Sequence, residues 1–234
     1  MRLFPHKAKT LAAALMLAPL VTVGATGDAL DRAVPHALTD ERATGARTET
    51  AVLAGGCFWG MQAVFEHVRG VRKVVAGYAG GRKETATYDQ VSTETTGHAE
   101  SVQITFDPTQ VSFGTLLQVY FSVAHDPTEI DRQGPDEGTS YRSEIFAESP
   151  EQARVAQGYI SQLDSSRVFA QPIATRVEPL RGFFPAEAYH QDFLITHRFH
   201  PYILINDLPK LSALKRVFPP LYLENPTKLA ISGP

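Results

Sequence analysis

The chain has 234 residues, 43% hydrophobic and 20% charged, with a formal charge of -3. That balance excludes disordered and fibrous classes and leaves a globular chain with enough apolar material for a sizeable core. The mild acidity supplies no electrostatic footprint for nucleic acid or for an anionic membrane surface.

The chain opens Met-Arg-Leu-Phe-Pro-His-Lys-Ala-Lys-Thr, followed by an apolar run from Leu11 to Val23 and then Gly24-Ala25. A basic start, an apolar stretch too short to span a bilayer and small residues for cleavage are the order of a secretory signal. Residues 1–25 are therefore expected to be a signal peptide and the protein to be exported, periplasmic or secreted, with no stable membrane span after cleavage. Loss of Arg2, Lys7 and Lys9 with this segment, which contains no acid, takes the formal charge from -3 to -6. Residues 26–48 show no convincing period and are read as a flexible leader. The domain is expected over 49–224, with a C-terminal tail over 225–234.

Thr50 to Ala54 reads as a buried strand ended by Gly55-Gly56. Phe58, Met61, Phe65 and Val68 recur at helical spacing, so a helix is expected from near Cys57 to Gly70. Val71 to Ala76 is a second strand, and Glu100 to Phe106 a third, with Val102, Ile104 and Phe106 alternating with polar residues. Ser112 is placed to cap a helix running to about Ala124. His125 to Thr139, rich in Asp, Pro and Gly, reads as a loop. Further on come a strand over Arg142 to Ala147 and a helix from Ser149-Pro150-Glu151 to about Leu163, then a strand from Ile173 to Val177. Helices are expected over Pro185 to His197 and Leu208 to Val217. Interleaved strands and helices with hairpin-like connections imply an α+β fold, a two-layer α/β sandwich with a mixed sheet and a ferredoxin-like core.

Cys57 is the sole cysteine, so an internal disulfide is excluded. It falls at a strand-to-helix turn whose glycines let a ligand approach the backbone. Helix N–H groups there favour thiolate over thiol. The competing reading is a small buried residue filling a gap between helix and sheet.

The surrounding segments carry a resemblance. Gly56-Cys57-Phe58-Trp59-Gly60, Gly77-Tyr78-Ala79-Gly80-Gly81, Thr87-Tyr88, Thr96-Gly97-His98-Ala99-Glu100, His125-Asp126-Pro127-Thr128, Arg132-Gln133-Gly134, Asp136, Gly138-Thr139, Tyr141-Arg142-Ser143 and Tyr189-His190-Gln191 follow one another across about residues 50–220. In this order they resemble the A-type peptide methionine sulfoxide reductases. The resemblance implies that Cys57 attacks the sulfoxide sulfur and becomes a sulfenic acid. It implies that Glu100 is the carboxyl facing the oxygen and that Tyr88 and Tyr141 bind the same oxygen. Phe58 and Trp59 would form the pocket for the substrate methyl, and Asp136 would hold the substrate amide or amine. Substrates are expected to be oxidised proteins or free methionine sulfoxide, reduced at the S epimer, with neither metal nor bound cofactor.

Many relatives carry further cysteines near the C-terminus that resolve the sulfenic acid, and this chain has none. Ser92 also stands where many relatives have cysteine. An external thiol, a thioredoxin-like protein or a small thiol, is therefore expected to regenerate Cys57. Two other readings compete. One is a cysteine hydrolase using His98 or His190 as base; the other is a non-catalytic redox sensor built on Cys57. His98, His190, His197 and His200 show no recognised metal-ligand spacing.

Overall fold

The computed structural model describes residues 33–229 apart from 42–44 and 46. The signal segment expected over 1–25 lies outside the described residues. Strand β1 (Glu49–Gly55) leads through helix α1 (Phe58–Glu66) to β2 (Val71–Ala79). A short helix α2 (Tyr88–Val91) precedes β3 (Ala99–Phe106) and helix α3 (Phe113–Val119), which runs on into a wider turn over Tyr120–Ala124. The loop that follows holds a two-residue ladder of β4 (Arg132–Gln133) with β5 (Asp136–Glu137). Next come β6 (Ser143–Ala147), α4 (Pro150–Ser165), β7 (Arg176–Pro179), β8 (Phe183–Pro185), α5 (Phe193–Thr196) and α6 (Leu208–Val217).

The main sheet has the order β7-β6-β1-β3-β2-β8. β1 is antiparallel to both β3 and β6, β2 is antiparallel to β3, and β7 alone runs parallel to its neighbour β6. Each helical crossover, β1-α1-β2 and β3-α3-β6, therefore skips one strand. This is the ferredoxin-like arrangement, extended at both edges into a mixed sheet.

Side chains from α1, α3, α4 and α6 cover one face, where Leu53, Val74, Val102 and Ile104 meet Phe58, Met61, Phe65, Leu116 and Leu117. A smaller cluster of Val52, Ala54, Ala79, Ala99 and Phe146 closes the other face beneath Leu180 and Phe183. β1 is thus covered on both sides, which is why its sequence is a continuous apolar run instead of an alternation. The expected caps form: Ser112 Oγ accepts from the Thr115 N–H at 3.2 Å, and Ser149 Oγ from the Gln152 N–H at 3.0 Å.

The structure departs from the expected organisation at four places. The leader read as flexible is docked over residues 33–41. Val34 is buried, its N–H donates to Ser122 Oγ at 3.1 Å, and its carbonyl accepts from Gln118 Nε2 at 2.7 Å. The Gly114 N–H, in the first turn of α3, donates to the Asp40 carboxylate at 2.8 Å. The tail beyond 224 is also anchored within the described residues, since the Thr227 N–H donates to the Glu66 carbonyl at 2.9 Å.

The single helix expected over Pro185 to His197 is replaced by β8, a single turn over Ala188–His190 and the short α5. Gln191 explains the break. Its side chain accepts from the Ala76 N–H at 3.0 Å and donates to the Ala76 carbonyl at 2.9 Å and the Ala186 carbonyl at 3.1 Å. It continues the β2 edge where β8 ends and so takes the place of a strand residue. Asp192 then sits at φ +51, outside the helical region. The strand expected over Ile173 to Val177 lies further along as β7, because pairing with β6 sets its register from Arg176 to Pro179.

Candidate active site

β1 ends at Gly55, and Gly56 (φ +86) turns the chain into α1 with Cys57 as the cap residue. A Cβ on Gly56 would lie 2.5 Å from Gln133 Cγ, so this turn excludes any side chain. Cys57 is only 8% exposed, yet it forms part of the wall of two cavities.

The first, about 190 Å³, is lined by Cys57, Phe58, Trp59, Tyr88, Glu100, Asp136, Tyr141 and Tyr202. All seven residues singled out in the sequence converge here. The second, about 300 Å³, shares Cys57, Asp136 and Tyr202 and extends over Gln133, Pro135, Ile205, Asn206 and Lys210. A depression of about 550 Å³ around Glu94, Arg142 and Arg176 is larger but does not include Cys57.

Glu100 comes from β3, with its side chain 3% exposed and one carboxyl oxygen accepting from the Phe58 N–H at 3.0 Å. Burial pushes its carboxyl up to about 8; the Phe58 N–H opposes this, while the charges of Asp136, Glu94 and Asp207 add to it. At neutral pH it is mostly the protonated acid. Tyr88 and Tyr141 are raised from their ordinary values by burial first and by Glu100 second, so both are neutral phenols.

The aromatic wall is held from behind. Trp59 stacks on Phe193 with centroids 3.8 Å apart, and its indole N–H donates to His190 Nδ1 at 3.1 Å. Phe58 packs against His190 and Tyr78 at 5.0 and 5.8 Å. Glu187 fixes the start of α2, accepting from the Tyr88 N–H at 2.9 Å and from the Tyr78 hydroxyl at 3.0 Å.

The thiolate expected from the helix start is not the form that the surroundings favour. Burial, then the charges of Glu100 and Asp207, push the Cys57 thiol well above its ordinary value, against a Trp59 N–H contact and the Lys210 charge. Desolvation outweighs the few N–H dipoles of one helix end. The penalty from Glu100 applies only when that carboxyl is ionised, so its protonation eases formation of the thiolate.

The histidines do not form a catalytic base. His98 accepts from the Gly81 N–H at 3.2 Å through Nδ1, so Nε2 is the donor to the Arg82 carbonyl at 3.0 Å. His98 therefore holds a turn, and neither it nor His190 lines a cavity with Cys57. The hydrolase reading loses its base. Among the described residues no group of three His, Cys, Asp or Glu is placed to hold a metal ion.

Three further residues around Cys57 were not singled out from the sequence: Tyr202, Asp207 and Lys210. Tyr202 donates from its hydroxyl to Asp136 and lines both cavities. Asp207 is fully buried beside Lys210, with Nζ and Oδ1 3.5 Å apart, and a Cβ on Gly60 would strike Asp207 Oδ1 at 2.1 Å. Only their return to α1 through some 145 residues of chain gives them meaning, although Asn206-Asp207-Leu208-Pro209 does read as a helix start.

A family model described as peptide methionine sulfoxide reductase matches residues 49–219. The chain belongs to this family. The reductase is 58% identical over 179 residues to MsrA 2 of Mesorhizobium japonicum, covering 76% of this chain and 92% of that one. It is 56% identical over 171 residues to MsrA 2 of a Synechocystis strain, covering 73% and 80%. Among solved structures it resembles methionine sulfoxide reductase A of Corynebacterium diphtheriae, with TM-score 0.57 and 34% identity over 74% of this chain and 85% of that one. Reduced Mxr1 of Saccharomyces cerevisiae gives TM-score 0.59 at 28% identity over 70% and 92%. The reductase is accordingly an A-type peptide methionine sulfoxide reductase, an oxidoreductase acting on sulfur.

Proposed function

We propose that Cys57 is the nucleophile of a one-cysteine cycle that reduces the S epimer of methionine sulfoxide, free or within proteins. The observation that carries this reading is the convergence of Cys57, Glu100, Tyr88 and Tyr141 on a single cavity walled by Phe58 and Trp59. The substrate methyl lies against the two rings and the sulfoxide oxygen faces the carboxyl and the two phenols. A cavity with its apolar and oxygen-binding sides so fixed accepts one configuration at sulfur.

Glu100 gives its proton to the sulfoxide oxygen as Cys57 sulfur attacks the electrophilic sulfur, and the Cys57 thiol proton returns to the Glu100 carboxylate, so the step takes up no net proton. The phenols stabilise charge on the oxygen without adding charge of their own. Oxygen passes to Cys57 as a sulfenic acid, methionine leaves, and the two electrons have come from Cys57. An external thiol then attacks the sulfenic sulfur, releasing water and leaving a mixed disulfide; a second thiol frees Cys57 and departs as the disulfide. A thioredoxin-like protein or a small thiol fits this role, because among all 234 residues the chain has no second cysteine. Export after removal of residues 1–25 is part of the same proposal, resting on the basic-apolar-small order of that segment.

The decisive experiment follows turnover of each sulfoxide epimer, free and peptide-bound, with excess dithiothreitol. The protein should convert many equivalents of the S epimer, leave the R epimer intact and lose activity entirely as Cys57→Ser. Undiminished turnover by that variant would end the reading.

A further inference from the structure

Glu94 lies in the segment between α2 and β3 at φ +61, a left-handed conformation unfavourable for any residue with a side chain. Its carboxylate explains why the chain holds that conformation. One oxygen accepts from the Ser140 N–H at 2.8 Å and from Thr139 Oγ1 at 3.1 Å, and the other accepts from Ser140 Oγ at 2.6 Å. Ser140 is buried, so two of these bonds meet an N–H and a hydroxyl that water scarcely reaches, while the third comes from the exposed Thr139. Gly138, at φ +136, makes room: a Cβ there would fall 2.3 Å from the Glu94 Cδ.

The residues so clamped form the single turn Thr139–Tyr141, and its last member, Tyr141, lines the cavity with Cys57 and Glu100. Arg142 holds the other side of the turn, donating to the Thr139 carbonyl at 2.8 Å and to the Glu144 carboxylate at 2.6 Å. Arg142 reaches the turn only through the Thr139 carbonyl, whereas Glu94 takes the N–H and hydroxyl of the residue next to Tyr141.

We infer that Glu94 is a positioning residue for the reduction step: its carboxylate clamps the Thr139–Tyr141 turn and so holds the Tyr141 hydroxyl where the sulfoxide oxygen is received. The inference rests on the role given to Tyr141 above. Misplacement of a catalytic group by a fraction of an ångström lowers the rate of the chemical step more than it weakens substrate binding.

The test is a double-mutant cycle read by single-turnover kinetics, mixing pre-reduced enzyme with a peptide carrying S-epimer methionine sulfoxide and measuring methionine formed. Tyr141→Phe should slow the step by about 10²-fold, the scale for loss of one donor to a developing oxyanion while the others remain. Glu94→Ala should slow it about fivefold with half-saturation changed by less than about twofold, and should change the Tyr141→Phe enzyme by less than about twofold. Glu94→Gln, which keeps an acceptor for the Ser140 N–H, should recover most of the rate. Should Glu94→Ala fail to fold, Glu94→Gly removes the carboxylate while relieving the left-handed backbone. Full speed without the Glu94 carboxylate, or an equal loss with and without the Tyr141 hydroxyl, overturns the inference while leaving the site intact. Full speed for Tyr141→Phe instead overturns the role of Tyr141, and the inference with it.

Discussion

At Glu100 a carboxylic acid remains protonated at neutral pH because its burial in the cavity wall outweighs the one N–H that favours its charged form. Its folded value of about 8 lies above the ordinary carboxylate range, so the native protein binds this proton more tightly than the unfolded chain does. That contribution to stability is complete at acidic pH and is lost as pH rises through about 8. Activity follows the same direction: the first chemical step should hold steady below that pH and fall above it. Glu100→Gln should slow single-turnover reduction by about 10²-fold, the scale for loss of a general acid, and abolish the alkaline limb. Rates and pH profile matching wild type would remove Glu100 from the proton-donor role. Cys57 shows the limit of local reasoning at this scale, because its cap position favours thiolate and its burial opposes it.

At the scale of elements, α1 carries Cys57 as its cap and both aromatic rings in its first turn, and its N-terminal end is set by how closely other segments approach it. Gly56 admits Gln133, and Gly60 admits Asp207. The segment after β8 holds the far side of the wall, where Gln191 replaces a strand partner and so places His190 and Phe193 behind Trp59. Gln191→Ala would leave the Ala76 N–H and the Ala186 carbonyl without that partner in a buried setting, while the Ala76 carbonyl keeps the Ala186 N–H at 2.9 Å. The expected loss is about 2–4 kcal/mol of unfolding free energy, from two buried polar groups left unpaired, read by denaturant titration. A change below about 0.5 kcal/mol, the usual spread for surface substitutions, would show that Gln191 does not hold the edge.

For the whole molecule, the docked stretch 33–41 joins the N-terminal region to the helical layer. Val34 and Asp40 bond to Ser122 and Gly114, and Tyr159 donates its hydroxyl to the Pro35 carbonyl. A cut after Ala25 leaves every one of these contacts in place. Expression of the full chain in a bacterium with N-terminal sequencing of the exported protein should therefore give Thr26 as the first residue. Material found only in the cytoplasm with Met1 intact would refute export. Among the described residues no helix is long and apolar enough to cross a membrane.

Much of the core was legible without coordinates. β1 is a continuous apolar run; β2, β3, α3, α4 and α6 carry periodic apolar faces or explicit caps, and burial of those residues requires the elements in which they lie. Seven of the eight cavity residues were legible through the family resemblance that their ordered motifs carry; by local pattern alone Phe58 and Trp59 read as core and Asp136 as a turn residue. β8 and α5 were not, because three or four residues carry no period and Gln191 acts through a contact with Ala76 far away in the chain. The docking of 33–41, the place of Tyr202, Asp207 and Lys210 beside Cys57, and the high pKa of its thiol were decided by the tertiary structure alone. Desolvation and long-range contact are properties of the packed molecule, and no stretch of sequence contains them until the sheet and helices have closed around it.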